Sequence, residues 1–170
     1  ILKPPEIMEY LLLKDNDITS SSILGGNIDV DKYKYCISDA QISSLEEILG
    51  EDLYEKIKTD AEDDVLAGDY LILYTKYITP FLIHRSAMEY LKDGAYMVNN
   101  GGIYKHTPQN GTAIEKSEVD LLVSNQRYKA DIYQQRMEKW LCKNKLPEYI
   151  YNSENIVNPK NKNNESGWYF

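Results

Sequence analysis

Asn27-x-Asp29-x-Asp31 is the spacing in this chain that comes nearest to recognisable chemistry: three oxygen-bearing side chains at alternate positions, as at the start of a calcium loop. Such a loop needs glycine at its sixth position for a sharp turn and a bidentate glutamate at its twelfth. Lys32 and Ser38 stand there instead, so the loop could not close around the ion. Asp60, Glu62, Asp63 and Asp64 could draw a divalent cation, but a run of acids at a helix end reads first as solvated charge. His84 and His106 are the only histidines, and neither stands at metal-pair spacing from another ligand. Cys36 and Cys142 match no metal or redox spacing and read as buried thiols of a reducing cytosol. The sequence carries no G-x-S-x-G elbow, no phosphate loop and no dinucleotide fingerprint. No cofactor or metal is expected, and no residue is nominated as catalytic.

The elements that would position these residues are helical. Tyr70 to Val98 is apolar or aromatic on nearly every side of a helical projection, which marks a centrally buried helix or a membrane span. Lys76, His84, Arg85 and Glu89 interrupt it well short of the roughly 18 uncharged residues a span needs, so a central core helix is expected and no membrane partner. Asp69 is its expected N-cap, and Pro80 predicts a kink, or two helices meeting, near Thr79. An earlier helix is predicted from Ser38 to Leu49, with Ser38 and Gln41 as a capping box, Gly50 beyond its end, and Ile42, Leu45, Ile48 and Leu49 on the buried face. Asn27 to Asp31 alternates polar and apolar residues and suggests an extended lead-in. Glu51 and Asp52 open a second helix with Leu53, Tyr54, Ile57 and Ala61 as its stripe. The last helix, from Ser117 to about Lys143, shows one apolar face on which Gln126 is the only polar member.

Two short β-prone pieces, Ile103-Tyr104-Lys105 and Thr112 to Glu115, flank His106, Pro108 and an Asn110-Gly111 turn signal. A β-hairpin over about 103–115 is therefore expected to protrude and lean on a partner. The reading is a mainly α protein: a helical bundle around a central apolar helix at about 70–98, occupying residues 1–150, with that hairpin. Residues 151–170 form an expected flexible Asn-rich tail, which ends in Trp168, Tyr169 and Phe170. Aromatics on a polar tether suit docking to a neighbour. The chain begins at Ile1, so a few residues are expected to precede it.

Composition narrows the partners. A net charge of -8 argues against broad adhesion to nucleic acid. Residues 1 to 69 carry 17 acids and 6 bases, whereas residues 70 to 170 carry 10 acids and 13 bases, and this division suits head-to-tail contact between copies. The 15 Tyr against 2 Phe and 2 Trp point the same way, because a ring with a hydroxyl serves both a core boundary and an interface. A DNA-binding helix pair at 38–59 is disfavoured, since Glu51, Asp52 and Glu55 would repel phosphate, and the last helix, mildly basic through Arg127, Lys129, Arg136, Lys139 and Lys143 with acids interspersed, reads as ordinary surface.

Laid out in this way, the chain resembles the head-to-tail connector proteins of tailed bacteriophages, most closely the neck ring proteins of crAss-like phages of gut Bacteroidetes. The residues that carry the likeness are Asn27-Ile28-Asp29-Val30-Asp31, Ile37, Ala40-Gln41, Leu45, Ile48-Leu49-Gly50, Leu53-Tyr54, Thr79-Pro80, Gly101-Gly102-Ile103 and Pro147-Glu148-Tyr149. The resemblance covers roughly residues 25 to 150 and implies a structural virion protein without catalysis. It implies a ring of copies, typically a dodecamer, beneath the portal protein, where it extends the DNA channel and meets tail or other neck proteins. Its place would be the virion neck, after assembly in the host cytoplasm. The expected interface residues are Ile103, Tyr104, Lys105, His106, Pro108, Asn110, Trp168, Tyr169 and Phe170. Asp60, Glu62, Asp63 and Asp64 are expected to face the channel, where like charge keeps DNA, a passing cargo, from sticking. A soluble monomeric or dimeric adaptor, or a small enzyme with an unrecognised site, are the alternative readings.

Overall fold

Tyr33, Cys36, Ile37 and Ala40 recur at three- and four-residue spacing, and all four are buried on one face of a helix that starts at Val30. In the computed structural model, which describes residues 10–14, 17, 30–93, 96–99, 102–105 and 116–149, this helix (Val30–Ala40) runs without a break through a π-turn (Gln41–Leu45) into Glu46–Leu49. The whole is α1, residues 30–49. Ser38 therefore lies inside the helix and is no cap, and the extended lead-in expected up to Asp31 is already helical at Val30 and Asp31. The π-turn also moves the buried face. One extra residue per turn shifts the phase, so Gln41 and Leu45 join Ser44 on the inner side, and Ile42, expected on the buried face, is 52% exposed.

Gly50 ends α1 as expected, with φ 78° and ψ 155°, a region that is essentially open to glycine alone. Its amide donates to the Glu46 carbonyl and its carbonyl accepts from the Tyr54 amide, so one residue closes α1 and opens α2, Glu51–Glu62. Leu53, Tyr54 and Ile57 are the buried stripe of α2.

The central helix, α3, covers residues 68–93 as Gly68–Leu73, a π-turn Tyr74–Ile78 and Thr79–Asp93. Pro80 lacks an amide and its ring would collide with the carbonyl one turn back. The widened turn immediately before it, closed by the Thr79 amide on the Tyr74 carbonyl, lets the helix continue rather than break. Two expectations are corrected here. Ala67, not Asp69, is the N-cap residue, and Asp69 sits in the first turn, where its charge meets the helix dipole. The helix also stops at Asp93 rather than Val98, because Tyr96–Asn99 is the strand β1, paired antiparallel with β2, Gly102–Lys105.

The hairpin expected over 103–115 is accordingly not supported. Ile103, Tyr104 and Lys105 pair backward with Val98, Met97 and Tyr96, and the stretch 106–115 lies outside the described residues. The sequence holds two Asn-Gly pairs, and the expectation chose Asn110-Gly111 where the paired strands flank Asn100-Gly101. The last helix, α4, is Lys116–Lys143, close to its expected bounds. Among the described residues no helix is long and apolar enough to cross a membrane.

The core lies where α1 and α4 each pack on α3, with α2 and the arm 10–14 closing one end. Ser86 and His84 show how α3 serves both sides. Ser86 Oγ donates to the Leu82 carbonyl at 2.6 Å, which leaves the Tyr33 hydroxyl of α1 to donate to Ser86 Oγ at 2.8 Å. His84 Nδ1 lies 2.9 Å from Gln126 Oε1 of α4. Two residues of α-helix turn through ~200°, so these pins leave α3 on opposite faces.

Gln41 holds the arm. Its Oε1 accepts the Leu12 amide at 2.7 Å, while its Nε2 donates to the Tyr10 carbonyl at 3.0 Å and the Tyr54 hydroxyl at 3.3 Å. It is fully buried. Replacing Gln41 by Leu keeps the volume but leaves the Leu12 amide and Tyr10 carbonyl without partners, which should cost about 2–4 kcal/mol in a urea denaturation. A change under about 0.5 kcal/mol would show that the arm is not held this way.

Candidate functional site

The described surface offers two features with functional chemistry, an acidic turn and a basic cleft. The turn closes α2. The Val65 amide donates to the Asp60 carbonyl at 2.9 Å and the Asp64 amide to the Ala61 carbonyl at 3.4 Å, with Asp64 at φ 57°. This is a Schellman closure in which aspartate fills the left-handed position usually given to glycine. The turn is therefore shaped rather than a loose run of charge. Glu62, Asp63 and Asp64 are exposed on it, and Val65 is 60% exposed beside them. Asp60 differs from the other three: it is partly buried and paired with Lys56, its neighbour one turn back, so it contributes less open negative charge. Among the described residues no group of His, Cys, Asp or Glu could hold a metal ion.

The cleft lies between α3 and α4, has a volume of about 360 Å³, and is lined by His84, Lys129, Ile132, Tyr133 and Arg136. Aromatic stacking builds its walls. The His84 ring stacks on Tyr133 with centroids 5.6 Å apart, Tyr77 meets Trp140 at the same spacing, and the Arg136 guanidinium lies over both Tyr133 and Tyr77 at 5.3 and 5.7 Å. Lys129 and Arg136 have no carboxylate partner among the described residues. Such a cleft suits a carboxylate or another anion, with an apolar contact at Ile132. The sequence marked Gln126 as the polar exception on its stripe but gave no sign of the cleft, because Lys129 and Arg136 read as ordinary surface.

The other expected site residues fall in different places. Ile103, Tyr104 and Lys105 lie on β2, away from both features in sequence. His106, Pro108, Asn110, Trp168, Tyr169 and Phe170 lie outside the described residues. Cys36 is buried as expected, whereas Cys142 is exposed, since it falls one position past the buried Leu141 on α4. Burial pushes the Cys36 thiol up to about 11, so it stays protonated and inert.

His84 is the titrating group of the cleft. Burial disfavours its charged form and Lys129 adds repulsion, and together they outweigh the bond to Gln126, so its pKa lies below the ordinary 6.5. The unfolded chain then takes up the proton first. The stability contributed by neutral His84 is complete above its ordinary pKa and is lost as pH falls from there toward the lowered folded value. His84→Gln should therefore show a shallower loss of urea stability than the wild type between about pH 6.5 and 5. Parallel pH curves would overturn this placement of the imidazole.

Comparison with curated proteins and with solved structures returns no match. One family matches over residues 45–159, well over half of the chain; its span begins inside α1, takes in α2, α3 and α4, and runs on past Tyr149. By that match the chain belongs to the DUF6712 family, a family of unknown function.

Proposed function

We propose that this protein is a structural component of a bacteriophage neck, in which copies assemble as a ring beneath the portal protein, join head to tail and extend the DNA channel. The observation that carries the reading is the spacing of large exposed apolar side chains on the two outer helices: Tyr35 and Ile42 on α1, and Leu121, Tyr128 and Ile132 on α4. They recur at helix-packing intervals, and an apolar stripe left open on a helix suits contact with another protein. The pattern of residues shared with connector proteins supports the same reading, as does the division of the chain into an acidic and a basic part.

In this proposal the ring needs no cofactor and performs no reaction of its own. Glu62, Asp63 and Asp64, rigidly presented by the closure of α2, face the channel, where their charge repels phosphate and keeps the passing genome from adhering. The segment 103–110 and the aromatics Trp168, Tyr169 and Phe170 meet the portal, the tail or an adjacent copy. Their weak contacts are multiplied by tethering.

Native mass and negative-stain imaging of the protein, alone and mixed with a candidate portal, test the assembly. A ring of about a dozen copies is expected; a monomer indifferent to the portal would overturn it in favour of an adaptor or an enzyme. Deleting residues 152–170 should weaken assembly and leave the monomer's thermal midpoint nearly unchanged, whereas a large fall in that midpoint would place the segment in its own core. Replacing Asp63 and Asp64 by Lys should slow DNA ejection without blocking the ring, and unchanged ejection would sink the channel assignment.

A further inference from the structure

A ring requires two different patches on separate sides of one molecule, each fitting the other on the next copy. The three-helix arrangement supplies them. Because the Ser86 and His84 pins leave α3 on opposite faces, α1 and α4 flank it on opposite sides and turn their outer faces away from one another.

Both outer faces carry large exposed apolar residues at helix-packing intervals. On α1 these are Tyr35, 63% exposed, and Ile42 seven positions on. On α4 they are Leu121, Tyr128 and Ile132, at steps of seven and four, and Tyr128 is 68% exposed. These intervals are those of a helix seam. The charges around them are of opposite sign. Exposed Asp39 and Glu47 and half-buried Glu46 border the α1 residues, and the base nearest to them, Lys34, is half-buried and already engaged. Along α4 the exposed Arg127, Lys129, Arg136, Lys139 and Lys143 outnumber the exposed Glu118, Asp120 and Asp131, and the acids are absent from the stretch 132–136 that borders the cleft. Lys129 and Arg136 line the cleft and, like Arg127 and Lys139, have no carboxylate partner among the described residues.

We propose that adjacent copies join by packing the outer face of α1 on one copy, through Tyr35, Asp39, Ile42 and Glu46, against the outer face of α4 on the next, through Leu121, Tyr128 and Ile132. Lys129 and Arg136 receive the carboxylates at the mouth of the cleft. The occupant of the α4 face is thus a second copy of this chain, and the proposal rests on the ring reading above. Ile42 stands two turns after Tyr35, so helical geometry places both on one face of α1, opposite the buried Tyr33, Ile37 and Ala40.

Two charge-reversed variants test the contact: Asp39→Lys with Glu46→Lys, and Lys129→Glu with Arg136→Glu. None of these side chains belongs to the core, and circular dichroism with thermal melting checks that both variants fold. In sedimentation, each alone should associate at least tenfold more weakly than wild type. An equal mixture of the two should recover assembly, because each variant's altered face then meets a complementary one. Rings from wild type and from both variants alike would overturn this contact and leave the ring reading standing.

A second measurement does not depend on rings. In a Cys142→Ser background, Ile42→Cys and Tyr128→Cys proteins are mixed and oxidised. A cross-linked pair that forms in the mixture is expected. If wild type never forms rings but this pair still forms, the contact stands while the ring falls. If neither forms, or if the α4 face instead captures a synthetic peptide of residues 152–170 and excludes the second copy, the contact is overturned.

Discussion

One helix has to be interior on two sides at once, and the rest of the molecule follows from that constraint. Along α3, Phe81, Leu82, Ile83, Ala87 and Met88 are buried, and two polar side chains two residues apart reach in opposite directions. Tyr33 on Ser86 fixes α1, and Gln126 on His84 fixes α4. Apolar burial provides the larger stabilisation, roughly 1.5–3 kcal/mol for each fully buried Leu, Ile or Phe side chain. It is non-directional, however, and the two buried polar bonds decide which register each outer helix adopts, since any other would strand a hydroxyl, an imidazole or an amide.

Tyrosine does the same work at longer range. Tyr10 donates to the Ala61 carbonyl, Tyr74 to the Leu12 carbonyl, and Tyr70 to Glu148, whose carboxylate holds the tyrosine up to about 12. Burial likewise raises Tyr33 and Tyr74 to about 12, so these hydroxyls stay protonated donors at any physiological pH. Each joins segments that are distant in the chain: Tyr74 and Tyr70 tie the arm and the segment after α4 to α3, and Tyr10 ties the arm to α2. Among the tyrosines whose side chains are described, most therefore serve internal contacts, and Tyr35 and Tyr128 are the ones left exposed, on opposite flanks.

Both α1 and α3 contain a π-turn, which adds a residue to a turn without ending the helix. In α3 the turn accommodates Pro80 and keeps the central helix whole. In α1 it shifts the phase so that Gln41, which a regular helix would leave at the edge of the buried face, is turned fully inward to hold the arm, while Ile42 stays on the surface.

The sequence by itself determined the elements whose signals are local. The face of α4 and the glycine between α1 and α2 follow from periodicity and from one residue's backbone preference, whereas Pro80 left a kink or a break at Thr79 equally open. The start of α1 was placed too late, at Ser38: Tyr33, Cys36, Ile37 and Ala40 already carry a helical spacing, but the alternating Asn27 to Asp31 and the Ser38–Gln41 pair competed with it. Tertiary structure decided what depended on distant partners. Gln41 reads locally as half of a capping box and becomes a buried clamp because the Leu12 amide, 29 residues away, needs an acceptor. Lys129 and Arg136 read as solvated charge and become the rim of a cleft because Tyr77, His84 and Tyr133 converge beside them. Ile103 to Lys105 pairs upstream rather than down, since β-propensity names a strand but not its partner. Periodicity is a property of a short stretch of chain, whereas satisfaction of a buried polar group is a property of whatever the folded chain brings to it.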